Sequence, residues 1–113
     1  MNKPTRFYSK KQEKRVAHEV GGDVVVNSGA TRFQKGDVSS KYWLFDAKTS
    51  TSPKSSVTIK KSWIEKINEE AFAMGKAHGA VIFDFGDGDD FVILDVKTFT
   101  ELIRERSLDY DES

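Results

Sequence analysis

The chain has no cysteine, only two prolines, two histidines and two methionines among its 113 residues. Without cysteine there is no disulfide framework, no thiolate metal site and no cysteine nucleophile. The histidines, His18 and His78, lie far apart in sequence on different predicted helices. No third ligand accompanies them, so a histidine-held metal is not expected. No G-x-S-x-G elbow is present, which removes one route to a serine hydrolase. Neither G-x-x-x-x-G-K-[ST] nor G-x-G-x-x-G occurs, so no nucleotide cofactor is expected. No apolar run approaches the ~18–20 residues needed to span a membrane, and no membrane partner is expected. The basic N-terminus leads into no apolar signal core, so a cytoplasmic protein is expected.

What is present is a highly charged chain, 32% Asp, Glu, Lys and Arg against 37% hydrophobic residues. Its length suits one domain, residues 1–113, with one modest core. The net charge of zero hides a polarity. Residues 1–61 hold 13 Lys and Arg against 5 Asp and Glu, and residues 62–113 hold the reverse, 5 against 13. The first half is a candidate phosphate-binding surface. The alternative is that the two halves neutralise each other in the fold.

In order, residues 1–8 are polar and basic and suggest an N-terminal arm. Ser9, with Gln12 three residues on, has the pattern of a capping box. It would start a helix running from about Lys10 to Val20, which Gly21-Gly22 would end. Val24-Val25-Val26 is a β-branched first strand. Residues 27–36 form a connection with two glycines, with Arg32 and Lys35 adding charge. Segments 37–39 and 42–48 then suit a hairpin turning at Ser39-Ser40-Lys41. The hydroxyl-rich stretch Thr49 to Ser56 is expected to be a flexible loop, either a plain connector or a substrate contact. Val57-Thr58-Ile59 suits a short extended segment. Trp63, Ile64, Ile67, Ala71 and Met74 recur at helical spacing over about Ser62 to Ala77. Phe72 falls outside that stripe, either facing a partner surface or covered by the C-terminal helix. Ala80–Phe85 and Phe91–Val96 suit two strands joined by a turn at Gly86–Asp90. That Asp cluster lacks the order of a calcium loop and is better explained as turn chemistry. Asp84 interrupts an apolar strand without an evident role. Thr98 would cap a short last helix, 99–106, and residues 107–113 an acidic, frayed tail.

The result is a mixed α/β fold, a twisted sheet of about five strands flanked by helices in the order α-β-β-β-α-β-β-α. One stretch stands out within it, Gly36-Asp37 through Asp46-Ala47-Lys48. Alternation along a strand puts Asp46 and Lys48 on one face and Ala47 on the other. If Asp37 lies on the matching face of the neighbouring strand, two carboxylates and one ammonium converge. Hard oxygen ligands of this kind suit Mg²⁺ chemistry on a phosphodiester.

The pattern G-D-x8-D-x-K resembles that of the PD-(D/E)xK nuclease superfamily. A Lys/Arg-rich helix with a glutamate (Gln12-Glu13-Lys14-Arg15-Val16-Ala17) precedes it, Ser28-Gly29 follows the β-branched run, and a helix and a strand follow the hairpin. Over residues 8–103 this order resembles the archaeal-type Holliday junction resolvases and their phage-encoded relatives. The resemblance implies a restriction-endonuclease-like core and a metal-dependent endonuclease that makes paired symmetric nicks in four-way DNA junctions. It implies Glu13, Asp37, Asp46 and Lys48 as catalytic residues, with Glu19 the alternative helix carboxylate. Glu13, Asp37, Asp46 and the carbonyl of Ala47 would hold Mg²⁺, for which Mn²⁺ is expected to substitute. Lys48 would position or help deprotonate the attacking water. Lys10, Lys11, Lys14, Arg15, Arg32, Lys35, Lys54, Lys60 and Lys61 would hold DNA phosphates without reading bases. Ser28 would contact DNA near the site, or simply form a turn. The resolvases are homodimers with aromatic residues of the long helix in the interface, which assigns Phe72 there. A two-fold dimer matches the two-fold symmetry of a junction. Asp46 departs from the glutamate common among resolvases and leaves metal number open. Alternatives are a nicking or flap nuclease of the same superfamily, a non-catalytic DNA-binding module, and a protein-interaction adaptor using the acidic half.

Overall fold

A computed structural model describes residues 5–26 and 36–111 of the chain. Its elements are α1 (Thr5–Val20), β1 (Asp23–Val24), β2 (Val38–Ser39), β3 (Trp43–Lys48), α2 (Lys61–Ala73), β4 (His78–Asp84), β5 (Asp90–Ile93) and α3 (Val96–Asp111). This is the expected order of elements. The five strands form one mixed sheet in the order β1-β2-β3-β4-β5, with β3 at its centre. β3 and β4 run parallel, and the other neighbours are antiparallel. A parallel pair needs a crossover, and α2 supplies it.

Alternation along β3 builds the core on both faces of the sheet. Phe45 packs with Val16 and Ala17 of α1, with Val38, and with Ala80 and Ile82 of β4. Leu44 points the other way and packs with Ile67 and Ala71 of α2 and with Val81. α1 and α2 therefore cover opposite faces. Close approach of α2 to β4 requires Gly79, because a Cβ there would lie 2.8 Å from the carbonyl oxygen of Ile67. α3 starts at Asp95, whose carboxylate accepts the N–H of Thr98 at 2.7 Å. That bond to an N-terminal amide holds the Asp95 carboxyl below its ordinary range.

Several boundaries differ from those expected from sequence. α1 begins at Thr5, so residues 5–8 belong to a helix rather than to an arm. Ser9 and Gln12 lie inside that helix and form no capping box. Nothing between Thr5 and Ser9 breaks a helix, and the Gln12 amide turns into the protein instead. The first strand covers Asp23–Val24 rather than 24–26, and residues 57–59 join no strand. α3 spans Val96–Asp111, longer than 99–106, because Asp95 caps it instead of Thr98 and no Gly or Pro interrupts residues 96–111. Residues 107–111 are thus helical rather than a frayed tail.

Leu44 is fully buried at the centre of one layer. Leu44→Ala is expected to cost about 2–5 kcal/mol, measured as a lower urea midpoint with little change in the slope of unfolding.

Candidate active site

The hairpin of β2 and β3 sets the geometry. Val38 pairs with Phe45, so Asp37, one residue outside β2, faces Asp46 across the two strands. The main chain confirms the register, since the Asp37 N–H donates to the Phe45 carbonyl at 2.8 Å. The Asp37 side chain accepts the Ala47 N–H at 2.8 Å. Gly36 precedes it with φ +78, where a Cβ would run into the Leu44 side chain at 2.6 Å. Only glycine both adopts that backbone and leaves the room.

Burial pushes the Asp37 carboxyl from its ordinary 3.8 up to about 7. The Ala47 amide opposes this, and the hydrogen bond to Asp46 and the charges of Asp46 and Glu13 add to it. Glu13, on α1, is half-buried and also raised by burial, against the opposing charges of Arg6 and Lys10. Glu19 is exposed. The helix carboxylate within electrostatic reach of Asp37 is thus Glu13. Lys48, two residues beyond Asp46 on the same face, puts its Nζ 3.4 Å from Asp46 Oδ2. The same Nζ lies 4.9 Å from the ring centre of Trp63 at the start of α2. An anion and an aromatic face together fix the position of the ammonium.

A second polar cluster braces this end of the sheet. Asp84, at the end of β4, is 3% exposed. It accepts from Arg15 Nη2 at 2.9 Å, from Thr49 Oγ1 at 2.8 Å and from the Gly86 N–H at 2.9 Å. Arg15 also donates to both oxygens of Asp90, at 2.6 and 2.9 Å. Gln12 Nε2 donates to the Lys48 carbonyl at 2.8 Å, which ties α1 to the end of β3. Gln12 Oε1 is buried with no hydrogen-bond partner among the described residues.

Asp84, without a role in the sequence, is therefore the anchor of this cluster. Arg15 is engaged inside the protein by two aspartates, and its remaining exposure is partial. Lys10, Lys11, Lys14, Lys54, Lys60 and Lys61 are exposed. Ser28, Arg32 and Lys35 lie outside the described residues. Phe72 is 87% exposed, so the C-terminal helix does not cover it. The loop after β3, expected to be flexible from its composition, is anchored at several points. Thr49 Oγ1 is held by Asp84, the Lys54 N–H donates to the Phe85 carbonyl at 2.7 Å, and the Ser52 carbonyl rests on Gly86, whose φ is +93. Trp63, Gln12 and Asp90 were not legible as site residues. Their patterns read as core stripe, helix cap and turn, and the charged Asp84 stood out in an apolar strand without an evident role.

Among the described residues, no three His, Cys, Asp or Glu side chains converge into a ready-made metal cage. The donor chemistry nonetheless fits a hard divalent cation. Asp37 and Asp46 are paired carboxylates that repel when both are ionised, and a cation between them would relieve that repulsion. Asp37, Asp46 and the Ala47 carbonyl would hold it, with Glu13 alongside.

In comparisons with known proteins, no family model, curated protein or solved structure matches the chain.

Two outcomes follow from this geometry. Asp37 binds its proton more tightly in the folded state, so its contribution to stability is full below about pH 4 and is lost as the pH rises through about 7. Asp37→Asn is expected to melt higher than wild type at pH 8 and close to it at pH 4, read by thermal unfolding across that range. Removing Arg15 leaves Asp84 buried with its charge uncompensated. Arg15→Ala is expected to cost about 2–3 kcal/mol in denaturant unfolding, the lower end because the guanidinium keeps part of its water.

Proposed function

We propose that this protein is a Mg²⁺-dependent endonuclease acting on branched DNA, of Holliday junction resolvase type. The observation that carries the proposal is the facing pair Asp37 and Asp46 with Lys48 Nζ 3.4 Å from Asp46, at the end of the central strand. This is the constellation for which the sequence resembles the PD-(D/E)xK nucleases. A divalent cation held there supplies charge neutralisation at a phosphate and a more acidic bound water.

The chain's own residues divide the remaining work. Asp37 and Asp46 would hold the cation, and Glu13 would add negative charge beside it. Lys48, held between Asp46 and Trp63, places a positive charge where negative charge develops on the phosphate and its attacking water. The exposed lysines of α1 and the Lys60-Lys61 pair bind the backbone of the substrate without reading its bases. Two copies joined through exposed Phe72 would present two sites with the two-fold symmetry of a four-way junction.

The test is cleavage of a labelled immobile four-way junction, beside duplex and flap controls, in Mg²⁺ and in EDTA. Paired symmetric nicks that require Mg²⁺ are expected. Asp46→Asn and Lys48→Ala are each expected to slow them by roughly 10²–10³-fold, the scale for losing one electrostatic group at a developing charge. Cleavage of flap or duplex alone would keep the nuclease and remove the junction preference. Salt-dependent binding with no cleavage, the same in wild type and Asp46→Asn, would leave a DNA-binding module.

A further inference from the structure

Apart from Lys48 itself, the cleft beside Lys48 is not used by the chemistry proposed above. It opens where β3 ends, with a volume of about 430 Å³, and its walls include Lys48, Lys54, Ser56, Thr58 and Trp63. That volume lies within the range of clefts that enclose a small ligand, roughly 300–1,000 Å³. Its chemistry has two parts. Two lysines and several hydroxyl groups can hold a phosphate and a sugar, and an indole offers an aromatic surface. Asp84 also lines the cleft, but its carboxylate is already met by Arg15, Thr49 Oγ1 and the Gly86 N–H. It therefore presents little free negative charge to an anion.

The walls are also preformed. One is the loop after β3, pinned by the bond from the Lys54 N–H to the Phe85 carbonyl and by Thr49 on Asp84. Another is the first turn of α2, carrying Trp63. Lys48 belongs to both places, since its Nζ contacts Asp46 on one side and the Trp63 ring on the other. Whatever fills the cleft thus lies next to the carboxylate pair.

We propose that this cleft binds one unpaired nucleotide of the DNA strand being cut, with its phosphate on Lys54 and the hydroxyl groups and its base against Trp63. This rests on the nuclease function proposed above and adds a source of selectivity to it. A base inside a duplex is stacked on both faces and paired along its edge, so it cannot enter a concave cleft. A nucleotide in a single strand or at a branch point is free to do so. Aromatic stacking accepts any base, so the cleft would select for strand structure and not for sequence.

The test is binding, read by fluorescence anisotropy in EDTA and low salt, so that cleavage plays no part. The probes are a labelled oligothymidine and a labelled blunt duplex of the same length. Trp63→Leu, by the loss of one base stack, and Lys54→Ala, by the loss of one phosphate contact, are each expected to weaken oligothymidine binding about tenfold and duplex binding by no more than about twofold. Lys11→Ala, on the outer face of α1, is the comparison and should weaken both probes alike. Equal loss on both probes for the cleft variants, or no loss, would overturn the proposal. Because Trp63 also packs against the core, a Trp63→Leu protein that fails to fold leaves Lys54→Ala, an exposed site, to decide. Wild type that holds duplex but not oligothymidine would overturn the cleft and leave the nuclease standing. Wild type that holds neither would remove both.

Discussion

The alternation of β3 governs this molecule. Leu44 must go under α2 and Phe45 under α1, because both faces of the central strand are covered. A slip of one residue would exchange the two layers and mispack every core side chain of the strand. The same register brings Asp46 opposite Asp37 and points Lys48 toward Trp63. The candidate site is therefore an extension of the packing pattern, and its precision derives from two buried apolar residues just upstream.

A site made of like charges needs a rigid frame. Asp37 and Asp46 face each other at a cost that burial and the nearby Glu13 increase. The frame comes from polar contacts that join elements distant in sequence. Arg15 of α1 clasps Asp84 of β4 and Asp90 of β5, and Gln12 of the same helix holds the Lys48 carbonyl. The Arg15 contacts connect the positive first half of the chain to the negative second half. Part of the charge polarity of the sequence is thus consumed inside the fold, at Arg15, while the lysines of α1 and the 60–61 pair remain on the surface.

The loop after β3 shows how composition can mislead about order. A stretch of Thr, Ser and one Pro reads as mobile, since it carries nothing to bury. Here its backbone is fixed from outside by the turn between β4 and β5, where Gly86 lets the Ser52 carbonyl approach and Phe85 accepts from Lys54. The pinned loop creates a walled cleft beside Lys48, in place of an open surface.

The sequence by itself determined the order of elements, the hairpin, and the face shared by Asp46 and Lys48. Each depends on local periodicity and on turn residues, which act over a few positions. It also placed Phe72 off the buried stripe of its helix, for the same reason, and left Glu19 open beside Glu13 as the helix carboxylate. Tertiary structure alone decided the fate of Arg15, the purpose of Asp84 and the ring that holds Lys48. These rest on contacts between residues far apart in the chain, 69 positions for Arg15 with Asp84. No local pattern encodes such a pairing, because it exists only once β4 is laid parallel to β3 and α1 crosses the end of both.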